Sequence, residues 1–299
     1  MSGLHRIFIL LFTVTATFRV AVAGLSDLDE LSSPLIPDSL PAPASRTTCL
    51  LTHFWENVDF RDTLRSHNRE LLEQNFAGFI ALFPHADTLT QSLAVNRLMQ
   101  AAEKDAVAYR LLADIAEKYL YRQESPAYCE NYFIFFLEAM VSTPVLGEYE
   151  KVRPAYLLEM ARKNRPGMQA ADFAYRTREG KSFTLQQTPG ERLLLFFYDP
   201  DCDHCREAMA EMNADPCFCQ AVGDGRLTVL AICSGASLEA WEHTKDEMPA
   251  GWIVGFETGD IQDKELYGMP AMPTLYLLDH EKKVILKEAS LPLLFHTLF

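Results

Sequence analysis

Two cysteines three positions apart, Cys202 and Cys205, follow the apolar run Leu193-Leu194-Leu195-Phe196-Phe197-Tyr198 after only Asp199-Pro200-Asp201. Thiols at that spacing share one face of a helix one turn apart, a layout that can alternate between dithiol and disulfide. A cysteine at a helix N-terminus is favoured as thiolate by the unpaired backbone N–H groups there. Cys202, just after Pro200, is therefore the expected nucleophile. Cys205 is expected to resolve the mixed disulfide that Cys202 forms with a substrate. His204, when protonated, would stabilise the thiolate, whereas Asp199, Asp201 and Asp203 oppose more negative charge. Asp201 and Asp203 could equally serve as helix caps.

A C-x-x-C can also be half of a zinc site. Cys217 and Cys219 follow after eleven residues, so four thiolates could formally be gathered. A helix over 206–214, rising about 1.5 Å per residue, would hold the second pair more than about 10 Å away. Placement behind a buried strand and ahead of a helix favours redox chemistry, and no metal is expected.

The elements that must position these residues are read from periodicity. Phe183 to Leu185, Leu193 to Tyr198, Leu227 to Cys233 and Trp252 to Phe256 read as strands. Ala236 to Glu247 and Ile261 to Tyr267 read as helices. Thr274 to Asp279 pairs with Lys283 to Lys287 across a polar turn, and Pro273 opens that strand. Together these predict a mixed α/β sheet over residues 167–299.

Upstream the pattern differs. Leu71, Leu72, Phe76, Phe79, Ile80 and Phe83, then Val107, Leu111, Leu112, Ile115 and Tyr119, recur at three and four, predicting a helical domain of about five helices over residues 49–166. Ser125-Pro126 reads as an N-cap followed by a proline at the first helical position. His53, Phe54 and Trp55 read as core. Residues 24–48, with Pro34, Pro37, Pro41 and Pro43, read as a flexible leader. The chain is thus read as an α+β two-domain protein, an all-α domain followed by an α/β domain.

Arg6, the uncharged stretch Ile7 to Phe18 and Ala21-Val22-Ala23 before Gly24 read as a signal peptide over residues 1–23. Twelve apolar residues fall short of the roughly 20 that span a bilayer, so no membrane span is expected after cleavage. Export to the periplasm or beyond, as a soluble protein, follows. With 27 basic against 41 acidic residues the chain carries a formal −14, more negative still once Arg6 and Arg19 are removed. Nucleic acid is excluded as a partner for such a surface.

At the strand before Cys202, the C-x-x-C itself and the stretch Tyr267-Gly268-Met269-Pro270-Ala271-Met272-Pro273-Thr274, the chain resembles the thioredoxin superfamily, in particular its exported TlpA-like and ResA-like thiol-disulfide oxidoreductases. The resemblance spans about residues 168–299. It implies a thioredoxin-like fold, a cis peptide bond before Pro273 beside the disulfide, and a Met272 backbone offered to an extended substrate. It further implies protein thiols and disulfides as partners, a membrane-bound electron donor, and no cofactor beyond the redox-active disulfide. Leu51-Thr52-His53-Phe54-Trp55-Glu56-Asn57-Val58-Asp59-Phe60 looks like the uncharacterised helical domain that precedes a thioredoxin fold in some exported bacterial proteins.

Two departures stand out. Asp201 replaces the family's tryptophan, and Phe196 stands six residues before Cys202, where thioredoxin has a buried acid, so proton transfer must use another group or water. Peroxidase relatives need a threonine three residues before the reactive cysteine; Asp199 precedes Cys202 at that offset, and peroxidase activity is not expected. Among the remaining cysteines, Cys49 and Cys129 could pair, Cys233 reads as core, and Cys217 and Cys219 form either a bystander C-x-C loop or a second exchange pair. Two functions compete on this reading: the dithiol favours an exported thiol-disulfide oxidoreductase acting as a reductant over a redox-inert or redox-sensing binding protein whose helical domain captures a peptide, glycan or protein.

Overall fold

A computed structural model of the chain describes residues 34, 36–37, 42–122 and 124–299. The signal peptide expected over 1–23, and most of the leader, lie outside the described residues. The chain divides into two compact units between Ala155 and Tyr156.

The described part of the first unit is helical: α1 (Pro43–His53), α2 (Thr63–Ser66), α3 (Arg69–Ala81), α4 (Thr88–Ala102), α5 (Ala106–Leu120), α6 (Glu130–Ser142) and the start of α7 (Glu148–Arg162). Asp62, Asn68, Asp87 and Asp105 each stand just before a helix and accept a backbone N–H from its first turn, satisfying donors that have no partner within the helix. The apolar faces then bury: Leu71, Leu72, Phe76, Phe79 and Ile80 on α3, and Leu112, Ile115 and Ala116 on α5. Phe54 and Trp55 pack on Phe79 at 5.4 and 5.9 Å between ring centroids.

Two sequence expectations change here. Residues 43–48 belong to α1 rather than to the leader; Pro43 is tolerated because a first-turn residue needs no N–H partner. Ser125-Pro126 opens a turn, not a helix. The Ser125 hydroxyl accepts the Ala127 N–H at 3.2 Å, its carbonyl accepts the Tyr128 N–H at 3.0 Å, and helix begins only after Cys129. The division after Ala155 lies within α7, which ends at Arg162. The tail of α7 is held by the second unit's own groups: Lys287 Nζ donates to the Met160 carbonyl at 3.0 Å and the Asn164 amide to the Leu266 carbonyl at 2.8 Å.

The second unit is built on a seven-stranded sheet of β1 (Ala174–Thr177), β2 (Ser182–Thr184), β3 (Leu193–Tyr198), β4 (Thr228–Cys233), β5 (Ile253–Glu257), β6 (Thr274–Leu278) and β7 (Val284–Leu286), in the order β2-β1-β5-β4-β3-β6-β7. Its helices are α8 (Asp203–Ala214), α9 (Pro216–Gly223), α10 (Leu238–Thr244), α11 (Asp260–Asp263) and α12 (Leu291–Leu298). β3 pairs parallel with β4 and antiparallel with β6, and all six of its side chains are buried. Leu194, Phe196 and Tyr198 enter one layer with Cys205, Met212 and Phe218; Leu193, Leu195 and Phe197 enter the other with Phe173, Tyr267 and Tyr276. Burial on both faces is why β3 reads as an unbroken apolar run rather than an alternating one. β1 and α12 have no counterpart in the sequence reading, and the supposed C-x-C loop is helix α9.

Asp105 provides a test of the helical unit. It accepts the Val107 and Ala108 N–H groups at 2.9 and 2.8 Å and pairs with His67 at 2.9 Å. The Ala108 N–H, then His67, hold its carboxyl below the usual aspartate value. Because the folded value is depressed, this stabilisation is complete above about pH 4 and is lost as the pH falls through the folded value. Asp105→Ala should cost about 1 kcal/mol at neutral pH in urea unfolding followed by circular dichroism, and the difference should shrink in acid.

Candidate functional site

Cys202 is the residue that starts α8. Its φ and ψ of −84° and 114° are extended, and its Sγ accepts the Cys205 N–H at 3.2 Å, doing with sulfur what a serine cap does with oxygen. Asp199 shapes the approach: its carbonyl accepts the Cys202 N–H at 3.1 Å and its Oδ1 the Asp201 N–H at 2.8 Å. Arg206 closes the turn from the helix side, donating to the Pro200 carbonyl at 2.8 Å and pairing with Asp203.

The two sulfurs occupy different surroundings. Cys202 is half-buried, whereas Cys205 has 0% exposure. Burial pushes the Cys205 thiol up to about 12, the adjacent Cys202 thiol adds to the effect, and the Asp199 N–H works against it. Cys233 is also driven up to about 12, by burial first and the Asp199 charge second. The Tyr198 phenol, beside them, is raised by burial, and its hydroxyl is buried without a hydrogen-bond partner.

Sheet register supplies the opposite wall. Thr274 pairs with Phe197, so Pro273 falls next to the end of β3. The Met272–Pro273 peptide bond is cis, and the Met272 carbonyl accepts the Cys202 thiol at 3.5 Å. The loop that carries it is tied down by Tyr267 Oη to the Ala171 carbonyl at 2.6 Å, Tyr276 Oη to the Gly268 carbonyl at 3.3 Å and Thr274 Oγ1 to the Ala271 carbonyl at 2.6 Å.

Of the residues singled out from sequence, Cys202, Cys205, Met272 and Pro273 come together at the end of β3 where the chain leaves the sheet. Asp201, Asp203 and His204 lie exposed on its rim. Asp203 is paired with Arg206, and His204 with Glu207 at 3.2 Å, exposed pairs that contribute about 1 kcal/mol or less. Cys217 and Cys219 are exposed on α9, where residues two apart point about 200° away from one another, so they cannot form an exchange pair. Cys49 and Cys129 are unbridged. Among the described residues no group of three His, Cys, Asp or Glu is arranged to hold a metal ion.

Sequence reasoning missed Glu257 and Ser234. Glu257 is 6% exposed, its Oε1 accepts the Ser234 hydroxyl at 2.7 Å, and its Oε2 is buried without a partner. A carboxylate closing an apolar strand carries no sign of burial in one dimension. The hydrogen bonds of Asp199 were equally hidden, although the Asp-Pro-Asp turn before Cys202 is a local signal for them.

A family model described as the AhpC/TSA family matches residues 166–287, and a model for a domain of unknown function, DUF5106, matches residues 13–164. A thioredoxin-like protein from Bacteroides caccae ATCC 43185, known from a crystal structure, is 36% identical, with 90% of this chain and 97% of that one covered and a TM-score of 0.79. The chain belongs to the thioredoxin-like proteins. Its first half is the DUF5106 helical domain and its second the AhpC/TSA thioredoxin-like domain, so the fold class expected from sequence holds. A conserved protein of unknown function from Bacteroides fragilis is 42% identical over 45% of this chain and 99% of its own, with a TM-score of 0.44. A putative thiol:disulfide interchange protein DsbE from Chlorobium tepidum is 28% identical over 42% of this chain and 85% of its own, with a TM-score of 0.36. No curated protein matches the chain.

The contrast in burial is measurable. In the reduced thioredoxin-like protein at about pH 8, iodoacetamide should modify Cys202, Cys217 and Cys219, whereas Cys205 and Cys233 should be modified only after unfolding in urea. Peptide mass mapping reads the order, and early labelling of Cys205 would contradict its placement beneath Cys202.

Proposed function

We propose that this thioredoxin-like chain is an exported thiol-disulfide oxidoreductase that reduces disulfides in protein substrates through Cys202 and Cys205. Cys202 attacks a substrate sulfur and forms a mixed disulfide. Cys205 then attacks Cys202, releasing the substrate as a dithiol and leaving the Cys202–Cys205 disulfide. A membrane-bound donor returns the two electrons. The observation that carries this reading is the position of Cys202 Sγ, 3.2 Å from the Cys205 N–H at the head of α8 and 3.5 Å from the Met272 carbonyl.

In this reading the Met272 backbone receives an extended substrate segment beside Pro273, and Asp201, Asp203 and His204 modulate the charge at the rim. Export is supported by the composition of residues 1–23, and among the described residues no helix is long and apolar enough to cross a membrane. The AhpC/TSA match does not make the chain a peroxidase here, because Asp199 stands where the peroxidase pattern needs threonine. A second reading, capture of a ligand by the helical unit, draws on one observation: a cavity of about 160 Å³ lined by Leu51, Thr52, His53, Trp55, Arg97 and Leu98.

Mature protein should accelerate the reduction of insulin by dithiothreitol. Cys202→Ala should fall to the uncatalysed rate, and Cys205→Ser should accumulate a mixed disulfide. A reductant should equilibrate with glutathione below the roughly −180 mV of protein disulfide isomerase; a value near the roughly −120 mV of a dedicated oxidant would reverse the assigned direction. Full activity in Cys202→Ala would refute the exchange reading.

A further inference from the structure

The helical unit holds a cavity that the dithiol chemistry does not use. About 160 Å³ in volume, it lies where the last turn of α1 packs on α4. Its inner wall is apolar and buried: Leu51 from α1 and Ala94 and Leu98 from α4 are each 2% exposed or less, and Trp55 is 5% exposed. A dry cavity of roughly 150 Å³ takes up benzene, so this space suits one branched aliphatic or phenyl side chain. Ligands of cofactor size, which need about 300 Å³ or more, are too large for it.

The mouth of the cavity carries charges of both signs. Arg97 on α4 and Glu56, just past α1, line it and are exposed, and neither is ion-paired with a described residue. Among the described residues the Arg97 guanidinium makes one hydrogen bond, from Nη1 to the Thr52 carbonyl at 3.1 Å, which fixes it at the end of α1 and leaves its other N–H groups to bind a ligand. His53, the last residue of α1, also lines the mouth. Its Nδ1 lies 2.9 Å from the Cys49 carbonyl, which can only accept, so the neutral ring carries its proton there and Nε2 is left as an acceptor. The carboxyl end of α1 adds partial negative charge to the same side.

An anion bound by Arg97 alone would face Glu56, and a cation bound by Glu56 alone would face Arg97. A zwitterion meets both. We propose that this cavity binds a free α-amino acid with an apolar side chain the size of leucine or phenylalanine. Its carboxylate pairs with Arg97, its ammonium with Glu56 and the carboxyl end of α1, and its side chain fills the space between Leu51, Trp55 and Leu98. The proposal rests on the second reading above, capture by the helical unit, and owes nothing to Cys202 or Cys205.

The test titrates the mature chain with L-leucine and L-phenylalanine up to about 10 mM, a range in which even a millimolar constant is readable, by calorimetry and tryptophan fluorescence. Both should bind saturably. N-acetyl-leucine and leucinamide, each lacking one of the two charges, should bind about tenfold or more weakly. Arg97→Gln, which keeps a donor for the Thr52 carbonyl, and Glu56→Gln should each weaken leucine binding by about tenfold or more. Ala101→Leu, which enlarges a half-buried lining residue, should abolish it. Circular dichroism checks that each variant is folded, and insulin reduction should be unchanged in all three. If N-acetyl-leucine or leucinamide binds as tightly as leucine, the amino-acid assignment is overturned and the cavity remains a binding site. If neither amino acid gives a saturable response, or leucine binding survives both Arg97→Gln and Ala101→Leu, the site itself is overturned. Leucine binding in a wild type that does not reduce insulin would sink the dithiol reading alone.

Discussion

The two-sided burial of β3, with ladder partners on both of its edges, is the constraint on which the second unit depends. Parallel pairing with β4 and antiparallel pairing with β6 leave no free edge, and alternate side chains are committed to opposite layers of core. A slip of one residue would send Phe196 and Phe197 to each other's layers, so the register is strongly specified. Its consequence is positional: the chain must leave the sheet at Tyr198, and the strand that returns beside it must begin at Thr274. The two cysteines and the Met272–Pro273 bond belong to segments some 70 residues apart. They meet because one strand sets the origin of both.

From that origin the two sulfurs diverge in character through burial rather than through composition. Cys202 is taken up as the cap of α8, with an N–H donor and a carbonyl acceptor about it, while Cys205 sinks into the layer containing Phe196, Tyr198 and Met212. The rim looks strongly acidic when written as Asp199-Pro200-Asp201-Cys202-Asp203. In three dimensions Asp203 is offset by Arg206 and His204 by Glu207, and the Asp199 carboxylate accepts the Asp201 N–H within its own turn. The net charge at the rim is therefore set by these pairings, not by the count of carboxylates.

The helical unit follows a different logic. α3, α4 and α5 each open on a side chain that satisfies a first-turn donor, an asparagine once and an aspartate twice, and an aromatic cluster centred on Phe76 and Phe79 joins the unit's core. Part of the chain's acidity thus has a structural use, since carboxylates at helix N-termini also complement the macrodipole. α7 departs from the pattern by passing Pro154 and running on into the second unit, where Lys287 Nζ donates to its Met160 carbonyl and Asn164, just past its end, donates to the Leu266 carbonyl.

Local pattern was enough to reveal β3, β4 and β6, because long apolar runs in strands report burial on both faces without reference to any partner. It was enough, too, for the helical character of the first unit and for Cys202 and Cys205, whose three-residue spacing at a strand-to-helix junction carries its own chemistry. It could not reveal β1, where only Tyr175 among four residues is strongly apolar and strand geometry comes from pairing with β2 and β5. Nor could it reveal that Ser125-Pro126 is a turn, that Cys217 and Cys219 are helical, or that Glu257 is buried on Ser234. Each of those outcomes depends on a hydrogen-bond partner or a packing surface remote in the chain. The unequal burial of the two sulfurs belongs with them: the cysteines are visible in one dimension, but which of them sinks into the core is settled by where β3 ends and how α8 leaves it.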